Sequence, residues 1–248
     1  MPASPSVLVV IPTYNERDNL PLIAAAVLER PNYRLLVVDD GSPDGTGAVA
    51  DDLAARAGGR LSVLHRTGPR GFGRSYLEGF ARALEEPVEL ICQMDADFSH
   101  DPGELPSLVE AAREQDVVIG SRYVTGGRVV NWPIHRIALS TLANFYIRAV
   151  LRLPVRDSTA GFRCWRREAL ARMPLDRIES NGYAFQIETA WEAAQRGLRI
   201  GEVPITFVER RRGQSKMSWA IVLEALVLPW RLRRRARRRG GGRPGPCR

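Results

Sequence analysis

Residues 7–46 read VLVVIPTYNERDNLPLIAAAVLERPNYRLLVVDDGSPDGT, and this stretch decides the fold. It opens with five apolar residues (7–11) and closes on a second run (35–38). Both are rich in valine, isoleucine and leucine and lack polar alternation, the pattern of strands buried on both faces of a parallel sheet. Between them, residues 18–30 place Leu20, Ile23, Ala24, Val27 and Leu28 at helical spacing. A strand, a helix and a second strand in this order make a βαβ unit, whose strands run parallel. Each run ends in polar, turn-forming residues, IPTYNE at 11–16 and DDGSPDGT at 39–46.

The same rhythm continues downstream. Residues 46–57 read as a helix and 61–65 as a strand. A glycine-rich segment (68–73) leads into a helix at 74–84, then a strand at 88–94, a helix at 105–113 and a strand at 117–119 that ends in GSRY (120–123). Alternating strands and helices of this length imply an open, mostly parallel sheet flanked by helices, an α/β fold. After Gly126-Gly127 comes a long apolar-rich helix (134–151), with Ile134, Ile137, Ala138, Leu142, Phe145 and Ala149 near one face. A short strand at 161–165, a helix at 183–196 and a strand pair at 199–207 broken at Pro204 follow. The expected organisation is one catalytic-size domain (1–217), an amphipathic helix (218–232) and a disordered arginine-rich tail (233–248).

The chain has 248 residues and 27.6 kDa, with 44% hydrophobic and 26% charged residues. That is ordinary globular composition and excludes a disordered or fibrous protein. Cys92, Cys164 and Cys247 form no CxxC pair, so neither a disulfide framework nor a zinc site is expected, and a reducing compartment is. The formal net charge is +8, but it is localised. Residues 231–248 carry nine arginines and no acid, while residues 1–230 hold 27 basic and 28 acidic groups. A basic tail of this kind suits contact with anionic lipid or nucleic acid. Lys216 is the single lysine in an otherwise arginine-only chain. No signal peptide is expected at the start, and no apolar stretch reaches the ~20 residues that span a bilayer.

Ligands of open parallel sheets collect at the carboxyl ends of the strands. Three polar clusters fall there: 11–16, 39–46 and MDADFSHDP at 94–102. Asp95-x-Asp97 sets two carboxylates on a short loop, a donor set suited to one hard divalent cation shared with substrate phosphate. The bland alternative is a helix cap built from Ser99 and Asp101-Pro102; the convergence of three clusters favours the ligand reading. Turn chemistry accounts for residues 41–46. It does not account for Asp39-Asp40 at the end of a buried strand, where a carboxylate needs a partner such as a sugar hydroxyl or a base N–H. Tyr14 and Glu16 offer a ring and an acceptor for the same purpose. The glycines at 68, 71 and 73 lack the spacing of a phosphate loop. On the basic side, Arg122 follows a strand, and Arg210 and Lys216 sit in RRRGQSK (210–216), where they could clamp phosphate oxygens.

The motifs IPTYNE, DDGSPDGT, MDADFSHDP, GSRY, GYAFQIE (182–188) and the RxxGxSK pattern at 210–216, in this order over residues 6–217, resemble the dolichol-phosphate (polyprenol-phosphate) mannose synthases of glycosyltransferase family 2. The resemblance implies a GT-A fold, GDP-mannose as donor and Mg²⁺ or Mn²⁺ as cofactor. It places Pro12, Tyr14, Glu16, Val38 and Asp40 on the nucleoside side of the donor. It gives Asp95, Ala96 and Asp97 the metal and diphosphate, with Asp95 and Asp97 as metal ligands, and Arg122, Arg210 and Lys216 the phosphates. Ser99 stands where some members carry a glutamine that helps bind metal, and DSTAGFR (157–163) departs from the commoner D-x-T-S-[GS]-F-R.

The acceptor so implied, a polyprenol phosphate, is already ionised at neutral pH and needs no general base. Catalysis then rests on positioning, with the metal and basic groups, Asp97 and Arg122 foremost, stabilising the GDP leaving group. In-line attack predicts inversion. Arg136 and Ser140, four residues apart on one helix face, join Arg122 as candidates for the acceptor phosphate. A peripheral position on the cytoplasmic face of the membrane is expected, with helix 218–232 and the basic tail as a two-part anchor, and an integral-membrane anchor protein is compatible with the sequence. Two alternatives stay open: a relative using UDP-glucose or another sugar nucleotide, and an arginine-rich nucleic-acid-binding protein. The second is disfavoured because the domain shows no basic stripe with interleaved aromatics, so no nucleic acid is expected as a partner.

Overall fold

The computed structural model describes residues 4–180, 182–209 and 219–238. Along them run β1 (Val7–Thr13), α1 (Leu20–Leu28), β2 (Tyr33–Asp39), α2 (Thr46–Arg56), β3 (Leu61–His65), α3 (Phe72–Leu84), β4 (Leu90–Gln93), α4 (Leu105–Ala111), β5 (Val117–Ser121), β6 (Arg128–Val130), α5 (Ile134–Leu151), β7 (Arg163–Arg166), α6 (Arg167–Ala171), α7 (Gly182–Gln195), β8 (Ile200–Pro204), β9 (Thr206–Val208) and α8 (Trp219–Arg238). Seven strands form one sheet in the order β3-β2-β1-β4-β7-β5-β8. Its neighbours are parallel except at β7, which is antiparallel to both β4 and β5. The open, mostly parallel sheet read from the sequence is therefore what forms. β6 and β9 make a separate parallel pair.

The sheet is covered on both faces. Ile23 and Val27 of α1, Ala50 of α2 and Leu108 of α4 pack with Val7, Val9 and Val37 on one side. Tyr76 and Phe80 of α3 and Phe185 of α7 pack with Val10, Val38 and Trp165 on the other. Burial on both faces is why the strands read as unbroken apolar runs. Close approach of α3 to the sheet depends on Gly79, where a methyl would lie 2.7 Å from Val10 Cγ1. In register, Pro12 pairs with Val38, Thr13 with Asp39 and Val10 with Gln93. Thus residues 13–16, 39–46 and 94–101 leave the sheet along one edge, and Arg122 follows β5 on that same edge.

The C-terminal helix differs from expectation. α8 continues through Arg238, past the boundary expected at 232. Its Leu228 and Leu232 are buried with Ile147 and Leu151 of α5 and Trp191 of α7. Arg235 pairs at 2.8 Å with Glu188, whose side chain is wholly buried. A buried carboxylate needs such a partner, and this extends ordered helix into the arginine run. The apolar face predicted for α5 is not the one that packs: Ile134, Leu142 and Phe145 are 84%, 65% and 69% exposed, while Ile147 and Leu151, outside that face, go inside. Leu226, Val227 and Trp230 of α8 are also exposed. They lie beside α5, since Tyr146 accepts from the Trp230 indole at 2.8 Å and donates to the Leu226 carbonyl at 2.9 Å. No helix among the described residues is long and apolar enough to cross a membrane.

Candidate active site

The first two strand-end loops are sewn together by side chain to backbone hydrogen bonds. Asn15, with φ of +62°, donates its N–H to Ser42 Oγ at 3.1 Å, and the Glu16 N–H donates to Thr46 Oγ1 at 3.0 Å. Asp39 accepts from the Ser42 hydroxyl at 2.5 Å and from Thr13 at 3.3 Å, so its carboxylate belongs to the turn. The residues assigned to the nucleoside thus share one ledge. Tyr14 is exposed, with the Arg70 guanidinium 4.8 Å from its ring centroid. Glu16 accepts from Asn19 at 2.7 Å. Pro12 and Val38 adjoin in the sheet, and Val38 is buried.

Asp40 corrects one expectation. Its buried carboxylate finds its partner within the protein: Arg66 Nη1 pairs with one oxygen, and the Gly71 N–H donates to the other at 2.9 Å. Arg66 in turn donates to Glu78 at 2.7 Å. Hydrogen bonding to Glu78, reinforced by Asp40, raises the Arg66 pKa above its ordinary value despite burial. The glycine-rich segment therefore serves to bring Gly71 onto Asp40.

The third cluster holds the paired carboxylates. Asp97 is buried and accepts from the Ser99 N–H at 3.0 Å and from the Ser99 hydroxyl. Asp95 accepts from Tyr76 at 3.3 Å. His100 is buried, its ring stacked 5.1 Å from Phe162 and edge-on to Phe207 at 5.5 Å, with Nδ1 accepting from the Asp95 backbone N–H at 3.4 Å. That role fixes His100 as part of the loop's scaffold. Among the described residues no three acidic, histidine or cysteine side chains cluster as a closed metal cage. Two hard carboxylates on one loop suit instead a cation that completes its shell with water and phosphate, as Mg²⁺ and Mn²⁺ do.

The basic side is built around Arg122. It is buried, donates to Asp157 through Nε and Nη2, each at 2.7 Å, and reaches Thr159 at 2.7 Å. Tyr123, Trp132 and Phe207 surround the guanidinium, with centroids 5.2, 5.6 and 5.3 Å away. Burial works against both charges, but the pair prevails: Asp157 stays below the usual carboxylate range and Arg122 is raised. Arg136 lies 3.9 Å over the Trp132 ring and pairs with Glu209. Ser140 Oγ accepts from the Tyr123 hydroxyl at 2.6 Å. Arg122 and Arg136 line a cavity of about 270 Å³ together with Asp95, Ser99, His100 and Gln186. Arg210 and Lys216 lie outside the described residues.

Sequence reading missed Arg66, Asp157, Thr159, Trp132, Arg163 and Gln186. Arg163 is fully buried, and its guanidinium donates to the carbonyls of Ser158, Ala160 and Gln186, clamping the 157–161 loop onto α7. Burial lowers its pKa to about 10. The signal that could have found it is the arginine closing DSTAGFR, placed just after a loop that carries Asp157 and Thr159.

Residues 8–173 match the family model "Glycosyl transferase family 2". The chain is 49% identical over 238 residues to the "Polyprenol monophosphomannose synthase" of Mycolicibacterium smegmatis, covering 94% of this chain and 90% of that protein. It is 50% identical over 222 residues to the "Undecaprenyl-phosphate mannosyltransferase" of Micrococcus luteus, covering 89% and 91%. Among solved structures, a mannosyltransferase from Pyrobaculum calidifontis in complex with GDP-Man and Mn²⁺ superposes with a TM-score of 0.64 at 19% identity, over 99% of this chain and 67% of that one. Glucosyl-3-phosphoglycerate synthase from Mycobacterium tuberculosis, with Mn²⁺, UDP and phosphoglyceric acid, gives 0.65 at 17% identity, over 91% and 78%. The fold shared with these two is the GT-A type, and the family match together with relatives near half-identical over almost the whole chain means that this protein belongs to glycosyltransferase family 2.

Proposed function

We propose that the protein transfers mannose from GDP-mannose to a polyprenol (dolichyl-type) phosphate with inversion, giving a polyprenyl β-D-mannosyl phosphate. The observation that carries this reading is the cavity lined by Asp95, Arg122 and Arg136, the last on α5, the helix that also exposes Ile134, Leu142 and Phe145. A phosphate held by arginines beside an apolar, exposed helix face is the pair of surfaces an anionic lipid requires. The names of the half-identical relatives, a polyprenol monophosphomannose synthase and an undecaprenyl-phosphate mannosyltransferase, point the same way.

In this reading the ledge of Pro12, Tyr14, Glu16 and Val38 receives the nucleoside, and Asp40, held by Arg66 and Gly71, braces the loops beside it. Asp95 and Asp97 hold a divalent cation, Mg²⁺ or Mn²⁺, which when bound supplies Lewis-acid stabilisation of the departing diphosphate. Ala96, between them, is buried and adds backbone only. Arg122, with Arg210 and Lys216, meets phosphate oxygens as a charge-assisted donor. Arg136 and Ser140, with Arg122, are assigned to the acceptor phosphate. No side chain is asked to take a proton, because the acceptor phosphate arrives ionised. The chain's contribution is alignment of an existing nucleophile and fixed positive charge where negative charge develops.

Transfer of radiolabel from a panel of sugar nucleotides to polyprenyl phosphate tests the reading. Mannose from GDP-mannose should appear in a lipid product of β configuration, and only with a divalent cation present. Preferential transfer from UDP-glucose, or a product of retained configuration, would overturn it.

A further inference from the structure

Gln186 on α7 is buried, and its neighbours allow its carboxamide one orientation. The Trp165 indole N–H can only donate, and it donates to Gln93 Oε1 at 3.0 Å. The Gln93 NH₂ must then face Gln186, whose Oε1 accepts at 3.0 Å. At the end of this relay stands the Gln186 NH₂. Gln186 lines the cavity, and this NH₂ has no acceptor among the described residues. A buried donor left unmade is costly, so such a group calls for a ligand oxygen.

The space in front of it is kept open by Gly161. A methyl at that position would lie 3.4 Å from Gln186 Nε2, 3.6 Å from His100 Cε1 and 3.7 Å from Asp95 Oδ2. Gly161, Gln186 and Asp95 line the same part of the cavity, so a ligand group lying over the bare Gly161 Cα has the amide donor and the Asp95 carboxylate as neighbours. A hydroxyl both accepts and donates and so satisfies both. A phosphate oxygen only accepts, so it could reach Asp95 only across the cation and not by a direct contact. The amide is also uncharged, so its role is recognition without proton transfer.

We infer that Gln186 determines sugar specificity: its Nε2–H donates to a hydroxyl of the transferred sugar, and that hydroxyl donates to Asp95. The inference rests on the glycosyl-transfer reading above and deepens it by assigning a residue to the sugar itself. Gln93 and Trp165 are positioning residues that hold the amide in its donating orientation.

The test compares GDP-mannose with its 2-, 3-, 4- and 6-deoxy forms in wild type, Gln186→Met and Gly161→Ala. Wild type should lose about tenfold or more in kcat/KM on at least one deoxy donor, since a site built around a hydroxyl rejects the analogue lacking it. Gln186→Met removes the donor, and Gly161→Ala caps it with a methyl at ordinary contact distance, which keeps the fold. Both should bring that preference down to about twofold, by slowing GDP-mannose and not the deoxy donor, with the acceptor KM unchanged. If wild type transfers mannose and both variants keep its ranking of deoxy donors, the inference falls while the mannosyltransferase reading stands. A rise in acceptor KM with the ranking intact would also overturn it, assigning the amide to the acceptor phosphate. No mannose transfer by wild type would remove the parent reading.

Discussion

Asp157 is wholly buried and takes two hydrogen bonds from the Arg122 side chain and one from its backbone N–H. Removing one member of such a pair leaves an uncompensated buried charge, so Asp157→Ala should destabilise by about 3–5 kcal/mol in urea unfolding at neutral pH. Because the folded Asp157 pKa is depressed, its contribution is full above the unfolded value of about 3.9 and is lost as pH falls through the folded one. Wild-type stability should therefore drop more steeply below about pH 4 than that of the variant. Equal acid slopes would deny the pair this role. Asp97→Asn tests the loop of paired carboxylates. The amide oxygen keeps the acceptor used by Ser99, so melting should hardly change, whereas turnover under saturating metal should fall by about 10²–10³ if a metal-facing charge is lost. At this scale the sequence exposed residues whose chemistry is tied to a strand end, such as Asp95, Asp97 and Arg122. It concealed those defined by partners far along the chain: Asp40 looked as though it needed a ligand because Arg66, 26 residues away, shows no local signal.

The elements were legible wherever apolar residues recur along their whole length. Residues 61–65 and 134–151 form β3 and α5 with the bounds expected. The reversed direction of β7 was not legible, because an apolar alternation records a strand and not its sense. Three-residue β6 is too short to carry a period. The end of α8 was missed because its signal is an ion pair with Glu188 on another helix. α5 is the informative case: its period is helical, yet half of its apolar residues face outward. The physical distinction is testable. Leu142→Asp and Phe145→Asp change exposed positions, so stability should stay within about 0.5 kcal/mol. Transfer to a long-chain polyprenyl phosphate in vesicles should fall several-fold, while a short water-soluble acceptor is used as before. Equal loss on both acceptors would place the defect in the cavity and remove α5 from the lipid.

For the molecule as a whole, basic charge is concentrated at one end of the chain, next to the exposed apolar side chains of α8. Nine arginines lie within residues 231–248, and the exposed Arg231 and Arg234 follow directly on the half-exposed Trp230. Removing all of 231–248 would be a poor test of an electrostatic anchor, because Leu232 is buried and Arg235 holds Glu188. Such a cut opens the α5–α7–α8 core along with removing charge. Neutralising Arg231 and Arg234 to Gln leaves that core intact. At roughly 1 kcal/mol per arginine beside an anionic leaflet, the double variant should bind anionic vesicles about 30-fold more weakly at low salt. The gap should close near 1 M salt, where the Debye length shrinks to about 3 Å, and be absent on neutral vesicles. Residual binding there would report the apolar face of α5 and α8 alone, since burial of Leu142, Phe145 and Trp230 in the interface is insensitive to screening. If the double variant matches wild type on anionic vesicles at low salt, attachment rests on that apolar face or on another protein, and these arginines serve only the solubility of the helix.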